Sequence, residues 1–216
     1  TLLRTGINEN TLSGPVDTRV AVLDAHLVPA DHETDLAALR EGVGPFQLGT
    51  GIRNGATVLA KAVQATWETR PDDAWLALDL SNAFGTLERQ KVLDALGNGD
   101  LELHHLLPHA RFFLGRTSQY RLIAKDGTAE WLPASEGAEQ GDPWGPLYYA
   151  LALRPALDAL HLELTQLAAQ QRQERGEEPT SDDVMVVAYL DDITIRVPPE
   201  LASAALLAAR RHLRSL

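Results

Sequence analysis

Three carboxylates of this chain stand where ionised groups are uncommon. Asp79 is embedded in the apolar run Trp75-Leu76-Ala77-Leu78-Asp79-Leu80, and Asp191 and Asp192 sit together between two further apolar runs, residues 184–190 and 193–197. Taking a carboxylate out of water is costly unless it is paired, hydrogen-bonded or bound to a cation. Two adjacent aspartates also repel one another, and a divalent cation relieves both penalties. Taken singly, each position has a structural explanation: Asp79 as a strand end that caps the next helix, Asp191 and Asp192 as turn residues. Brought together on neighbouring strands, they form a cluster of hard oxygen ligands suited to Mg2+ or Mn2+. Two such ions about 3.5–4 Å apart are the usual arrangement for in-line displacement at phosphorus, so the expected chemistry is phosphoryl transfer. His105 and His109, four residues apart with His104 beside them, form a second candidate metal set. They lack a nearby third ligand, so a surface helix is the preferred reading there.

Positioning these groups requires particular elements. Residues 75–80 read as a strand, followed by a turn at Ser81-Asn82 and a helix over 87–96. Residues 184–190 and 193–197 read as a β-hairpin with Asp191 and Asp192 at its tip, ended by Pro198-Pro199. Upstream, a short helix is expected over 35–40. Gly42, Gly44, Gly49, Gly51 and Gly55 then mark an irregular connection, and Val58, Leu59, Ala62, Val63 and Trp67 give 56–69 a helical apolar face. Residues 101–114 look helical, and 118–124 and 128–132 flank Lys125-Asp126-Gly127 as a hairpin. After a second glycine loop over 137–145, Pro146 suits the first turn of a long helix toward Gln171, with Pro155 expected to kink it. Residues 170–183 read as a solvated helix end and loop, and 201–216 as a final helix. Residues 1–34 show no clear periodicity. The expected fold class is α/β in the mixed α+β sense: an antiparallel sheet carrying the carboxylates, backed on one face by two long helices.

Three segments then resemble, in order and spacing, motifs A, B and C of reverse transcriptases, most closely those of non-LTR retrotransposons. They are Leu78-Asp79-Leu80-Ser81-Asn82-Ala83-Phe84, Glu139-Gln140-Gly141-Asp142-Pro143-Trp144-Gly145-Pro146 and Ala188-Tyr189-Leu190-Asp191-Asp192. The resemblance covers roughly residues 43–216 and implies a polymerase palm over 56–216 with a partial fingers-like segment over 1–55. It implies Asp79 and Asp191 as ligands of two Mg2+ or Mn2+ ions, with Asp192 as a supporting carboxylate and the Leu80 carbonyl completing a metal site. Ser81, Asn82, Ala83, Phe84, Gln140 and Gly141 would meet the incoming nucleotide. Phe84 would close the sugar site against a 2′-hydroxyl by volume, selecting deoxynucleotides. Tyr189 and Leu190 would support the primer end, and Asp142 and Pro143 would lie toward the template. Phe46-Gln47-Leu48-Gly49-Thr50-Gly51-Ile52-Arg53-Asn54-Gly55 resembles the segment before motif A, which adjoins template and nucleotide, with Arg53 a phosphate contact or a solvated loop residue. The implied partners are an RNA template, a DNA primer and deoxynucleoside triphosphates, and the implied setting is intracellular, nuclear only by family analogy.

Composition sets limits on this reading. The chain has 216 residues, 44% hydrophobic, with no cysteine, which excludes disulfides and thiolate-held metals. No apolar run approaches the roughly 18 residues needed to span a bilayer. The net charge of −11 is opposite to that of a surface tracking phosphates. Thr1 in place of an initiator methionine, and an unfinished helix at the end, point to a piece of a longer protein with basic flanks. In residues 1–30 the family's basic fingers motif is not found, and Arg4 and Arg19 resemble at most remnants of it. Motif D and a thumb would lie beyond Leu216. Two other readings stand beside the leading one: a catalytically inactive palm-like scaffold binding nucleic acid or protein, and another palm nucleotidyl enzyme such as a cyclase.

Overall fold

The computed structural model describes residues 2–5, 32–98, 102–138, 142–178 and 180–214. Within them the chain forms β1 (Leu2–Thr5), α1 (His32–Val43), α2 (Gly55–Thr69), β2 (Ala74–Asp79), α3 (Arg89–Gly97), a 3-10 turn (Glu102–Leu106) and α4 (Leu107–Leu114). There follow β3 (Ser118–Ile123), β4 (Ala129–Ala134), α5 (Gly145–Glu174), a 3-10 turn (Ser181–Asp183), β5 (Met185–Tyr189), β6 (Asp192–Val197), a 3-10 turn (Pro199–Leu201) and α6 (Ala202–Leu213). The strands make two antiparallel sheets, ordered β1-β3-β4 and β2-β6-β5. The chain is thus a mixed helix-and-strand protein with small antiparallel sheets.

Period-two alternation in the second sheet decides which side is core. Leu76 pairs with Ile195 and Leu78 with Ile193, while Val186 and Ala188 face the same two residues from the other side. Val186, Ala188, Ile193, Ile195 and Val197 are at most 3% exposed. Helices α5 and α6 pack on this face. The first two turns of α5 are buried all round, and after them one stripe remains, Leu153, Leu157, Leu160, Leu164 and Ala168, at helical spacing. Burying each leucine of that stripe contributes about 1.5–3 kcal/mol.

Most of the expected elements are present, with instructive differences. The segment 101–114 divides into a 3-10 turn and α4, and Pro108 stands in the first turn of α4, where its missing N–H costs nothing. Helix α5 continues through Pro155, which lies on an exposed side. The solvated helix end and loop expected over 170–183 are present up to residue 178, but the end of the segment differs. Helix α5 runs to Glu174, and Asp183 is 2% exposed and ion-paired to Arg172 and, at 3.3 Å, to Arg70. Nearby, Arg196 is 3% exposed, pairs with Asp73 at 2.7 Å and donates to the Asp182 carbonyl at 2.6 Å. This clamp joins the ends of α2, α5, β2 and β6. Its partners are too far apart in sequence to show in a local polar pattern.

Arg19 and the side chain of Arg4 lie outside what the structure describes. The segments 1–55 and 56–216 are joined by pairing of β1 with β3 and by a parallel bridge from Gln47 to Ala188. Among the described residues, no helix is long and apolar enough to cross a membrane.

Candidate functional site

Strands β5 and β6 leave only Leu190 and Asp191 between them, so the hairpin turns tightly. Leu190 takes φ 58, a left-handed conformation that costs a leucine roughly 1–2 kcal/mol. Contacts from outside the hairpin compensate. Gln47, 1% exposed, accepts the Leu190 N–H at 2.8 Å through Oε1 and donates from Nε2 to the Leu190 carbonyl at 3.2 Å.

The pairing of β2 with β6 sets Asp79 directly opposite Asp192, and Tyr189 faces Asp192 from β5. Opposed Cα atoms in an antiparallel ladder lie about 4.5–5.5 Å apart and their side chains share a face. Here that face is the one turned away from α5 and α6. Asp79 and Asp192 are exposed there, and Asp191, next in the turn, is half-buried. The register therefore puts Asp192, rather than Asp191, across from Asp79. Like charges in that relation destabilise a sheet. Among the described residues, no three acidic or histidine side chains are already gathered as a metal-binding group. Asp79 at the end of β2, Asp192 at the start of β6 and Asp191 in the adjoining turn supply oxygen donors of the kind a hard divalent ion takes.

After β2 the chain bends at Asn82, φ 53, where the Thr86 N–H and hydroxyl both donate to the Asn82 carbonyl at 3.0 Å. Leu80 is half-buried, Ser81 is exposed and Ala83 is 8% exposed. Phe84 stacks on Tyr149 at the start of α5, with ring centroids 4.9 Å apart. Tyr149 is fully buried, and its hydroxyl has no hydrogen-bond partner among the described residues. Burial, and after it the charge of Asp191, push its pKa upward. A cavity of about 610 Å3 opens beside this turn, lined by Leu80, Ser81, Ala83, Thr86, Tyr149 and Arg214 among others.

The approach to the second glycine loop is strapped to the same turn. The Gly137 N–H donates to the Leu87 carbonyl and the Ala138 N–H to the Phe84 carbonyl, both at 2.8 Å. A Cβ on Gly137 would lie 2.5 Å from the Gly85 carbonyl oxygen, so this approach requires glycine. Arg89, 5% exposed, donates to the carbonyls of Gly137 at 2.9 Å, Ala134 at 3.0 Å and Arg116 at 3.1 Å. Gln140 and Gly141 themselves lie outside the described residues. Asp142 accepts the Trp144 N–H at 3.0 Å, a local helix-entry bond, and Pro143 is exposed. Arg53 is exposed in the turn before α2.

Among the histidines, His109 departs from the surface reading. It is 7% exposed, bonded to the Tyr148 hydroxyl at 2.7 Å and packed against Phe113 and Trp144. It is a core residue. Gln47, Arg89 and Tyr149 had no separate signal in the sequence, although Gln47 lies inside the glycine-rich segment singled out there. No family model matches this chain, and no curated protein matches it either.

Proposed function

We propose that this chain is the metal-binding palm of a reverse transcriptase, an RNA-directed DNA polymerase of the non-LTR retrotransposon type. The observation that carries the reading is the register that sets Asp79 opposite Asp192, with Asp191 adjoining in the turn. Carboxylates that close on an exposed sheet face have a physical use when they share cations. The strap from 137–138 to the Phe84 turn also supports it, because it ties the approach to the second glycine loop to the turn that follows Asp79.

In this reading Asp79 and Asp191 hold the ions and Asp192 supports them from across the ladder. Two Mg2+ or Mn2+ ions supply, when bound, activation of the primer 3′-hydroxyl and neutralisation of charge on the leaving pyrophosphate. Phe84, which stacks on Tyr149, would take up the volume that a ribose 2′-hydroxyl needs. Tyr189 and Leu190 carry the primer end, and Gln140, Gly141, Asp142 and Pro143 face nucleotide and template. Positioning and electrostatics provide the rate enhancement.

The test is primer extension on an RNA template with Mg2+ or Mn2+, comparing polypeptides that carry this chain with and without Asp191→Ala. Extension is expected to fall to background in the variant, and undiminished extension rejects the proposal. The scaffold reading is favoured by the net charge of −11. It predicts no metal binding that depends on Asp79 and Asp191.

A further inference from the structure

The turn bearing Asp191 is held by a side chain 143 residues away. Gln47 satisfies both the N–H and the carbonyl of Leu190, and its Oε1 accepts a second N–H, from Gly49, at 2.9 Å. The main chain around Gln47 is locked to β5: the Ala188 N–H donates to the Phe46 carbonyl and the Leu48 N–H to the Ala188 carbonyl, both at 2.8 Å. A Cβ on Gly49 would lie 2.8 Å from both Cγ and N of Leu190, so the loop can come this close only as glycine. Three features converge on one residue: a buried amide with its polar atoms engaged, a glycine at contact distance and a left-handed leucine. The next residue is Asp191.

A glutamine that merely finished a sheet edge would have no need to grip the one residue of the hairpin in a strained conformation. We infer that Gln47 is a positioning residue for the metal site. By fixing the peptide groups on both sides of Leu190, it sets the direction in which Asp191 leaves the turn. The inference rests on the two-metal reading above. Groups that orient metal ligands without touching the metal typically change affinity by about 10–100-fold when removed.

The experiment is calorimetric titration of the full 216-residue chain with Mn2+ alone. Gln47→Met, which keeps length and removes both polar atoms, is expected to weaken Mn2+ binding about tenfold while the far-UV circular dichroism stays unchanged. Glycine adopts a positive φ freely. In a Leu190→Gly background the same Gln47→Met change is therefore expected to cost less than about threefold, a coupling that loss of packing alone does not produce. Gly49→Ala retains the Gln47 side chain but sets a Cβ 2.8 Å from Leu190 and 3.0 Å from the Gln47 Oε1, wedging into the contact between them. It is expected to weaken binding at least about threefold, and less so when residue 190 is glycine. If Gln47→Met leaves affinity unchanged while Asp191→Ala abolishes binding, the inference falls and the metal reading stands. Equal losses in both backgrounds also overturn it. If wild type shows no binding that depends on Asp191, the metal reading fails and takes the inference with it. Should Gln47→Met not fold, Gly49→Ala decides: unchanged affinity there rejects the role.

Discussion

Asp79 and Asp192 face one another across the β2–β6 ladder on the side of the sheet away from α5 and α6; the far end of that side, at Trp75 and Met185, is covered by α2. Opposed like charges cost a sheet roughly 0.2–1 kcal/mol. Asp192→Asn is therefore expected to raise the metal-free melting temperature slightly and to reduce the further rise that Mn2+ gives the wild type. Differential scanning calorimetry with and without Mn2+ checks both. A variant less stable than wild type without metal would show that the pair does not repel.

Phe84 meets Tyr149 ring to ring and lies beside the loop that leads into the second glycine segment. Phe84→Ala is expected to raise incorporation of ribonucleotides relative to deoxynucleotides by tenfold or more, about 1.4 kcal/mol of lost discrimination. Competitive single-nucleotide primer extension measures the ratio. An unchanged ratio rejects the volume argument.

Arg89 is a buried cation whose guanidinium spans three main-chain carbonyls, those of Arg116, of Ala134 at the end of β4 and of Gly137 just beyond it. A lysine ammonium lacks the planar fork needed to reach all three. Arg89→Lys is expected to cost about 2 kcal/mol in urea unfolding. It should also speed amide exchange at Gly137 and Ala138, whose N–H groups are held on Leu87 and Phe84. Exchange that matches wild type at those two amides would mean the strap stands without Arg89.

Asp183 is the charged centre of the clamp below the sheet. Burial raises its pKa, but the guanidinium groups of Arg172 and Arg70 outweigh burial and hold it below the ordinary 3.8. A carboxyl depressed in the folded state stabilises fully above its unfolded pKa and loses that contribution as pH falls through the folded value. At pH 7, Asp183→Asn is expected to cost about 3 kcal/mol, the loss typical when one partner of a buried pair is removed. The gap between variant and wild type should narrow below about pH 4. Urea midpoints across pH 3–7 test this, and a gap independent of pH contradicts it.

The parts of the fold legible in the sequence follow from periodicity. The continuous apolar run 184–190 and the alternating residues of 193–197 mark the two strands of the hairpin, and the 3.6-residue spacing after Pro146 marks α5, because burial imposes such patterns directly. Period two in β2 leaves Asp79 out of phase with Leu76 and Leu78, which places it on the face away from α5 and α6. The left-handed Leu190, the Gln47 amide on its peptide groups, the Arg89 fork and the Asp183 clamp have no such mark. Each is a single polar contact between distant segments, and such contacts leave no repeating pattern. Asp191 and Asp192 are legible as a pair, whereas which of them stands across from Asp79 depends on hairpin register.

The most direct test is Mn2+ titration of the wild-type chain beside Asp79→Ala and Asp191→Ala, with circular dichroism as the control for folding. Shared coordination by the two strands predicts saturable Mn2+ binding by the wild type that either substitution weakens by about tenfold or more. Wild-type binding that survives both substitutions, or no binding at all, would contradict it.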